Sequence, residues 1–186
     1  MTLQPHPAPG GDFMSSYFRV YGPFVCDKLE IRKKERQKQF WETVESEVEY
    51  LPPAQGVYLF SLRNGSNYMP QYVGITQKQG FHKEVFNNAN LTKILGDWRG
   101  IKGTLCIHLL ARPKDKQKGF STNVSKEVLK YLERLILAWG RKKNPKMLNI
   151  AHAKFLDSVE IEDITTNFSK GKARQPISSF RNAIHW

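Results

Sequence analysis

The feature that most constrains this chain is a proline stop followed by two strand-forming runs. Pro52-Pro53 ends any preceding helix, because proline lacks a backbone N–H and its ring clashes with the turn before it. Next come QGVYLFSL and QYVGIT, rich in β-formers, separated by RNGSNYMP with its Asn64-Gly65 turn signal. The order predicts a β-hairpin, with a connection longer than the minimal turn. The two runs carry mirrored triplets, Gly56-Val57-Tyr58 and Tyr72-Val73-Gly74. One reading is two ordinary core strands with rim aromatics. The other is a pair of tyrosines held at one site, where the glycines let backbone or substrate approach closely.

Helical patterns flank the hairpin. The segment Lys28 to Tyr50 lacks Gly and Pro, and Leu29, Phe40, Trp41, Val44 and Val48 give it a partial apolar stripe. A helix is expected there. Its basic first half can touch phosphates or form a solvated face. Phe81, Val85, Phe86, Leu91, Ile94 and Leu95 recur at roughly helical spacing, so a second helix is expected over this stretch. GTLCIHLLARP reads as a central third strand. SKEVLKYLERLILAWG reads as the clearest helix, with Leu129, Leu132, Ile136 and Trp139 as its core stripe, Ser125 or Asn123 as its cap and Gly140 at its end. LDSVEIEDI and ISSFRNAI suggest a late strand and a short final helix.

Hairpin-linked strands with helices against them define an α+β class. The expected organisation is a flexible lead-in over 1–15, an N-terminal helical extension over 16–51, a core over 52–150, and a C-terminal extension over 151–186 that packs on it. The lead-in has no apolar core and does not read as a signal peptide. No apolar run approaches the ~18 residues of a membrane span. Cys26 and Cys106 lie far apart without metal-ligand spacing, as buried reduced thiols of a cytoplasmic protein would. With 29 Lys and Arg against 17 Asp and Glu, the net charge is +12, which favours a polyanionic partner such as a nucleic acid, with an anionic membrane surface or an acidic protein as the alternatives.

The chain GVY, hairpin, YVG, helix, strand, then LERLI and NPKMLN resembles the GIY-YIG nuclease superfamily over roughly residues 52 to 150. The resemblance implies a small three-stranded antiparallel sheet flanked by helices. It also implies divalent-metal-dependent hydrolysis of DNA, with RNA as the alternative polymer. In such a site Tyr58 activates or orients water and Tyr72 supports it. Glu133 holds one divalent ion, magnesium or alternatively manganese, and Asn149 holds a phosphate oxygen or a water. The residue-level alternative for Glu133 is an ion pair with Lys130 or Arg134, and Glu127 is the second candidate carboxylate.

The family's first-helix arginine has no counterpart, since no arginine lies between Arg63 and Arg99. Its place falls on His82 and Lys83. Lys83 is the leading replacement, with His82, Lys78 and Arg99 as further candidates, although lysine lacks arginine's bidentate fork. Arg112, Lys114, Lys116 and Lys118 in one loop, and Arg141, Lys142, Lys143 and Lys146 in another, are expected to line a positive groove if they converge. Trp98 and Trp139 can stack on bases, with core packing the stronger expectation for Trp139. A non-catalytic nucleic-acid-binding module on the same fold is the alternative to an endonuclease. No membrane partner is expected, and a homodimer is compatible with the sequence.

Overall fold

The computed structural model describes residues 17–149 apart from 77 and 116. In chain order the elements are β1 (Arg19–Cys26), α1 (Lys34–Glu47), β2 (Gly56–Asn64), β3 (Asn67–Ile75), α2 (Phe81–Glu84), α3 (Asn88–Leu95), β4 (Thr104–Ala111) and α4 (Lys126–Lys143). The class is α+β. All neighbours in the sheet are antiparallel, in the order β1-β4-β2-β3.

The sheet has four strands rather than the expected three, and the extra one comes from the presumed N-terminal helical extension. β1 carries Gly22-Pro23 in its middle, which reads as a break in a sequence. It survives because β1 is an edge strand, where a missing N–H costs no ladder bond, and its register shifts between Tyr21 and Phe24. Phe24 and Cys26 are buried. The segment therefore completes the core instead of standing apart from it. Both cysteines are free and buried. The expected lead-in, late strand and final helix lie outside the described residues.

Two layers cover the sheet. On one face Tyr58, Phe60, Leu62, Leu105, Ile107 and Leu109 pack with Phe40 and Val44 of α1, Phe81 of α2 and Ile94 of α3. On the other, Val57 and Val73 pack with Leu129 and Leu137 of α4 and with Met147. Truncating a fully enclosed leucine such as Leu137 costs about 2–5 kcal/mol.

The helices are shorter than periodicity alone suggests. α1 starts late because the Asp27 carboxylate accepts hydrogen bonds from the backbone N–H groups of Leu29 and Glu30, which fixes a turn there. Leu29 is consequently exposed. The second helix breaks in two at Asn87, whose side chain caps α3 by accepting from the Asn90 N–H. α4 buries Leu129, Glu133 and Leu137, one every fourth residue, so its inward stripe is rotated from the expected one. Trp139 is 54% exposed and Trp98 only 1%, the reverse of the expectation that placed Trp139 in the core. Trp98 instead packs on Phe60, ring centroids 5.4 Å apart.

The hairpin closes in fewer residues than expected. Asn64 pairs with Asn67, so Gly65 and Ser66 alone form the turn. Gly65 has φ +59°, the left-handed conformation that two-residue turns give to glycine. Farther along, Phe60 pairs with Tyr72 but Ser61 pairs with Pro70, which leaves Gln71 as an extra residue in β3. This bulge re-aims the strand. Tyr72 stacks on Phe60 at 6.2 Å, whereas Pro70, two positions away, lines a groove with Ser61 on the opposite face.

Candidate functional site

Tyr58 and Tyr72 meet on the sheet face that carries α3, ring centroids 6.3 Å apart. The geometry follows from Gly74, which pairs directly with Tyr58 across the hairpin. A Cβ at Gly74 would overlap the Tyr58 ring, so only glycine lets that ring lie across β3. Gly56 is equally constrained: a Cβ there would collide with the Leu110 carbonyl oxygen. Thr76 secures the same end, its hydroxyl accepting from the Gly56 N–H at 2.9 Å while its own N–H donates to the Gly56 carbonyl at 3.0 Å.

Two α3 residues absent from the sequence reading complete the pair. Asn90 is buried and its Nδ2 donates to the Tyr58 hydroxyl oxygen at 2.8 Å, shared with the Val85 carbonyl at 3.0 Å. Lys93 stands over the Tyr72 ring, Nζ 4.3 Å from its centroid, and donates to Asn90 Oδ1 at 3.3 Å. One helical turn separates the two residues, so α3 presents amide and ammonium side by side. The available signal was Asn87 three positions before Asn90, a cap that starts a new helix and sets its facing.

Glu133 lies on α4, in the other layer. α4 runs mainly along β3, the edge strand, and its leucines pack on the face opposite the phenols. Glu133 is only 9% exposed, within the packed stripe and not at its edge. Its charge nevertheless acts on both phenols.

The electrostatics set the state of the tyrosines. Burial first, then the neighbouring Tyr72, pushes the Tyr58 phenol well above its ordinary 10.0; the Asn90 hydrogen bond opposes this, and Glu84 and then Glu133 add to it. Burial and then Glu133 raise Tyr72 as well. Tyr58 is 3% exposed and neutral at physiological pH. It therefore orients a partner by hydrogen bonding and does not serve as a ready base. Burial lowers Lys93 below 10.5, while Asp97 opposes that.

Among the described residues no group of three or more His, Cys, Asp or Glu converges as a metal cage. Two carboxylates, Glu84 and Glu133, act on the phenols, and Glu133 is the buried one. One carboxylate with water and substrate oxygens completing the shell is a donor set that suits magnesium or manganese.

The other expected residues lie elsewhere. The Asn149 amide is engaged with the β3 backbone: Oδ1 accepts from the Val73 N–H at 3.0 Å and Nδ2 donates to the Val73 carbonyl at 2.7 Å. With the Leu148 N–H on the Gln71 carbonyl and Asn144 on the Pro70 carbonyl, it covers the open edge of β3. Its position is explained by edge protection and not by a phosphate. The His82 ring bonds the Pro52 carbonyl at 2.8 Å. Lys78, Lys83 and Arg99 are exposed, and among the described residues none of these candidates contacts either phenol. Among the described residues the cation over the Tyr72 ring is Lys93.

The two basic segments do not converge. The Arg112 loop folds back near Gln55, through Ser121, at the N-terminal end of α4, whereas Arg141, Lys142, Lys143 and Lys146 lie at its C-terminal end. Lys114 and Lys118 are exposed, and Lys116 falls outside the described residues. α4, eighteen residues and about 27 Å long at 1.5 Å per residue, has the first cluster near its start and the second in and after its last turn. Glu127 sits in the exposed first turn, bonded to Ser125 at 2.6 Å, and plays no part at the phenols. No helix among the described residues is long and apolar enough to cross a membrane. No family model matches the chain, and no curated protein or solved structure matches it either.

Proposed function

We propose that this site is a phosphodiester-hydrolysing centre of GIY-YIG type acting on DNA. The observation that carries the reading is the pair of phenols with the Lys93 ammonium over the Tyr72 ring; the charge of Glu133 acts on both phenols. Phosphodiester hydrolysis needs an oriented water, a stabiliser of growing negative charge and help for the leaving oxygen. Asn90 donates to the Tyr58 oxygen and Tyr58 in turn hydrogen-bonds Tyr72, so the Tyr72 hydroxyl, the less buried of the two, is the one placed to meet a water or a phosphate oxygen. Lys93 supplies a point charge for a non-bridging oxygen, the part that an arginine plays in the family this sequence resembles. Glu133 would hold the divalent ion, which when bound polarises the phosphate and its waters. The charge excess of +12 supplies general affinity for a polyanion.

The burial of Tyr58 favours a second reading, a nucleic-acid-binding module on this fold without catalysis. One experiment separates the two. Purified protein with magnesium is expected to cut plasmid DNA, and Glu133→Gln and Tyr58→Phe to cut roughly a hundredfold more slowly while binding DNA as the parent does. Binding without cutting under magnesium or manganese supports the module. Cutting by both variants at the parental rate removes these residues from the mechanism.

A further inference from the structure

The face of the sheet opposite the phenols carries a second concavity that the proposed hydrolytic site does not use. It is a groove of about 400 Å³, in the range of sites for small organic rings. Leu59, Pro70 and Ile136 give it apolar walls. Ile136, Trp139, Gly140 and Lys143 follow each other at helical spacing, so one face of α4 forms its side. Tyr68 and His108 meet edge to face, centroids 5.6 Å apart, and the Ser61 hydroxyl lies 3.1 Å from His108 Nε2.

The distribution of charge identifies the occupant. Burial lowers the imidazole of His108, so near neutral pH it offers hydrogen-bonding capacity without charge. The Lys143 ammonium stands at the exposed margin. Trp139 presents its indole to solvent, 54% exposed, although a ring of that size normally finds cover. A flat neutral ring fits the interior and an anion fits the margin. That division is the chemistry of a nucleotide.

We propose that the groove takes an unpaired base of a nucleic-acid strand, stacked on Trp139, with the adjoining phosphate on Lys143. A base inside a duplex is stacked and cannot enter, so the ligand class is nucleic acid with single-stranded nucleotides, such as a flap, a branch or a free strand. The sheet separates the groove from Tyr58, so it positions a strand and does not deliver the base to the phenols. The proposal rests on the nucleic-acid reading above.

The test uses the full chain at fixed salt and compares a fluorescent oligothymidylate with an abasic oligonucleotide of the same length by anisotropy. The parent is expected to bind the base-bearing strand more tightly by about fivefold to a hundredfold. Trp139→Ala removes that preference and keeps the abasic affinity, and Lys143→Ala weakens binding to both strands. Equal affinity of the parent for both strands overturns the base subsite while nucleic-acid binding stands; a groove filled by a protein side chain or by the chain's own C-terminal residues gives that result. Failure to bind either strand overturns both readings. An unchanged preference in Trp139→Ala overturns the assignment of the stacking residue even where the parent discriminates.

Discussion

Gly74 and the ring of Tyr58 claim the same space: a methyl group on the former would sit inside the latter. The hairpin pairs these two residues directly, so the second triplet's glycine is what allows the first triplet's tyrosine to lie flat across β3. The mirrored order of the triplets thereby acquires a physical cause.

Gly74→Ala is expected to push Tyr58 out of its seat and to destabilise the fold by about 1–3 kcal/mol, the usual cost of overpacking. Gly65→Ala is the control. Position 65 has φ +59° with nothing within 4 Å, so alanine there meets only backbone strain of about 1 kcal/mol. Urea midpoints report both changes. Tyrosine near-UV dichroism should change for position 74 and stay as in the parent for position 65.

Asn149→Ala removes the bidentate grip on Val73 and should cost about 1–3 kcal/mol. Amide exchange at Val73 is expected to accelerate, since its N–H loses its partner at the sheet edge. DNA affinity should hold at the parental value. A large loss of affinity with the Val73 amide still protected would return Asn149 to the phosphate role.

Burial lowers the His108 imidazole below 6.5. Below that pH the unfolded chain takes up the proton before the folded protein does. Stability carried by the neutral ring is therefore full above 6.5 and is lost as pH falls towards the lowered value. His108→Gln lacks the titrating group and keeps a partner for Ser61. Urea midpoints at neutral and mildly acidic pH should fall further for the parent than for the variant; parallel falls would mean that His108 does not contribute.

Glu133→Gln removes a negative charge that raises both phenols. Ultraviolet titration should find Tyr72 ionising at lower pH in the variant, yet still above 10.0, because burial remains the larger cause. This measurement checks the shared pocket without reference to any activity. An unmoved Tyr72 would place the carboxylate out of reach.

The hairpin was legible because its signals are local: Pro52-Pro53 before it, Asn64-Gly65 at its turn and β-formers on both sides. α4 was legible as a helix from its period, but its facing was not. The expected stripe ran through Leu132, Ile136 and Trp139, whereas the buried one runs through Leu129, Glu133 and Leu137. β1 stayed hidden because Gly22-Pro23 is tolerated only at a sheet edge, a tertiary fact. The bulge at Gln71 was equally invisible, and it decides that Tyr72 and not Pro70 faces the phenol side. Asn90 and Lys93 were missed for one reason. The apolar period reads as one continuous helix, and it does not show the cap at Asn87, which restarts the helix and turns both side chains to Tyr58 and Tyr72.

Lys93 is the residue on which the catalytic reading turns. Its ammonium is the cation found over the phenol pair, and burial lowers its affinity for the proton, which marks it as partly withdrawn from water. A charge so placed stabilises an anion more strongly than one in bulk solvent. Lys93→Met keeps the aliphatic stem and removes the charge. It is expected to slow DNA cleavage by about a hundredfold to a thousandfold, the loss typical of one electrostatic stabiliser. Lys93→Arg should retain most of the rate, since it restores a cation with added hydrogen-bonding reach. Lys83→Met and Lys78→Met, both at exposed positions, should cut as the parent does. The assignment fails if Lys93→Met cuts at the parental rate while Lys83→Met is impaired, because the phosphate would then be held from α2 and not from α3.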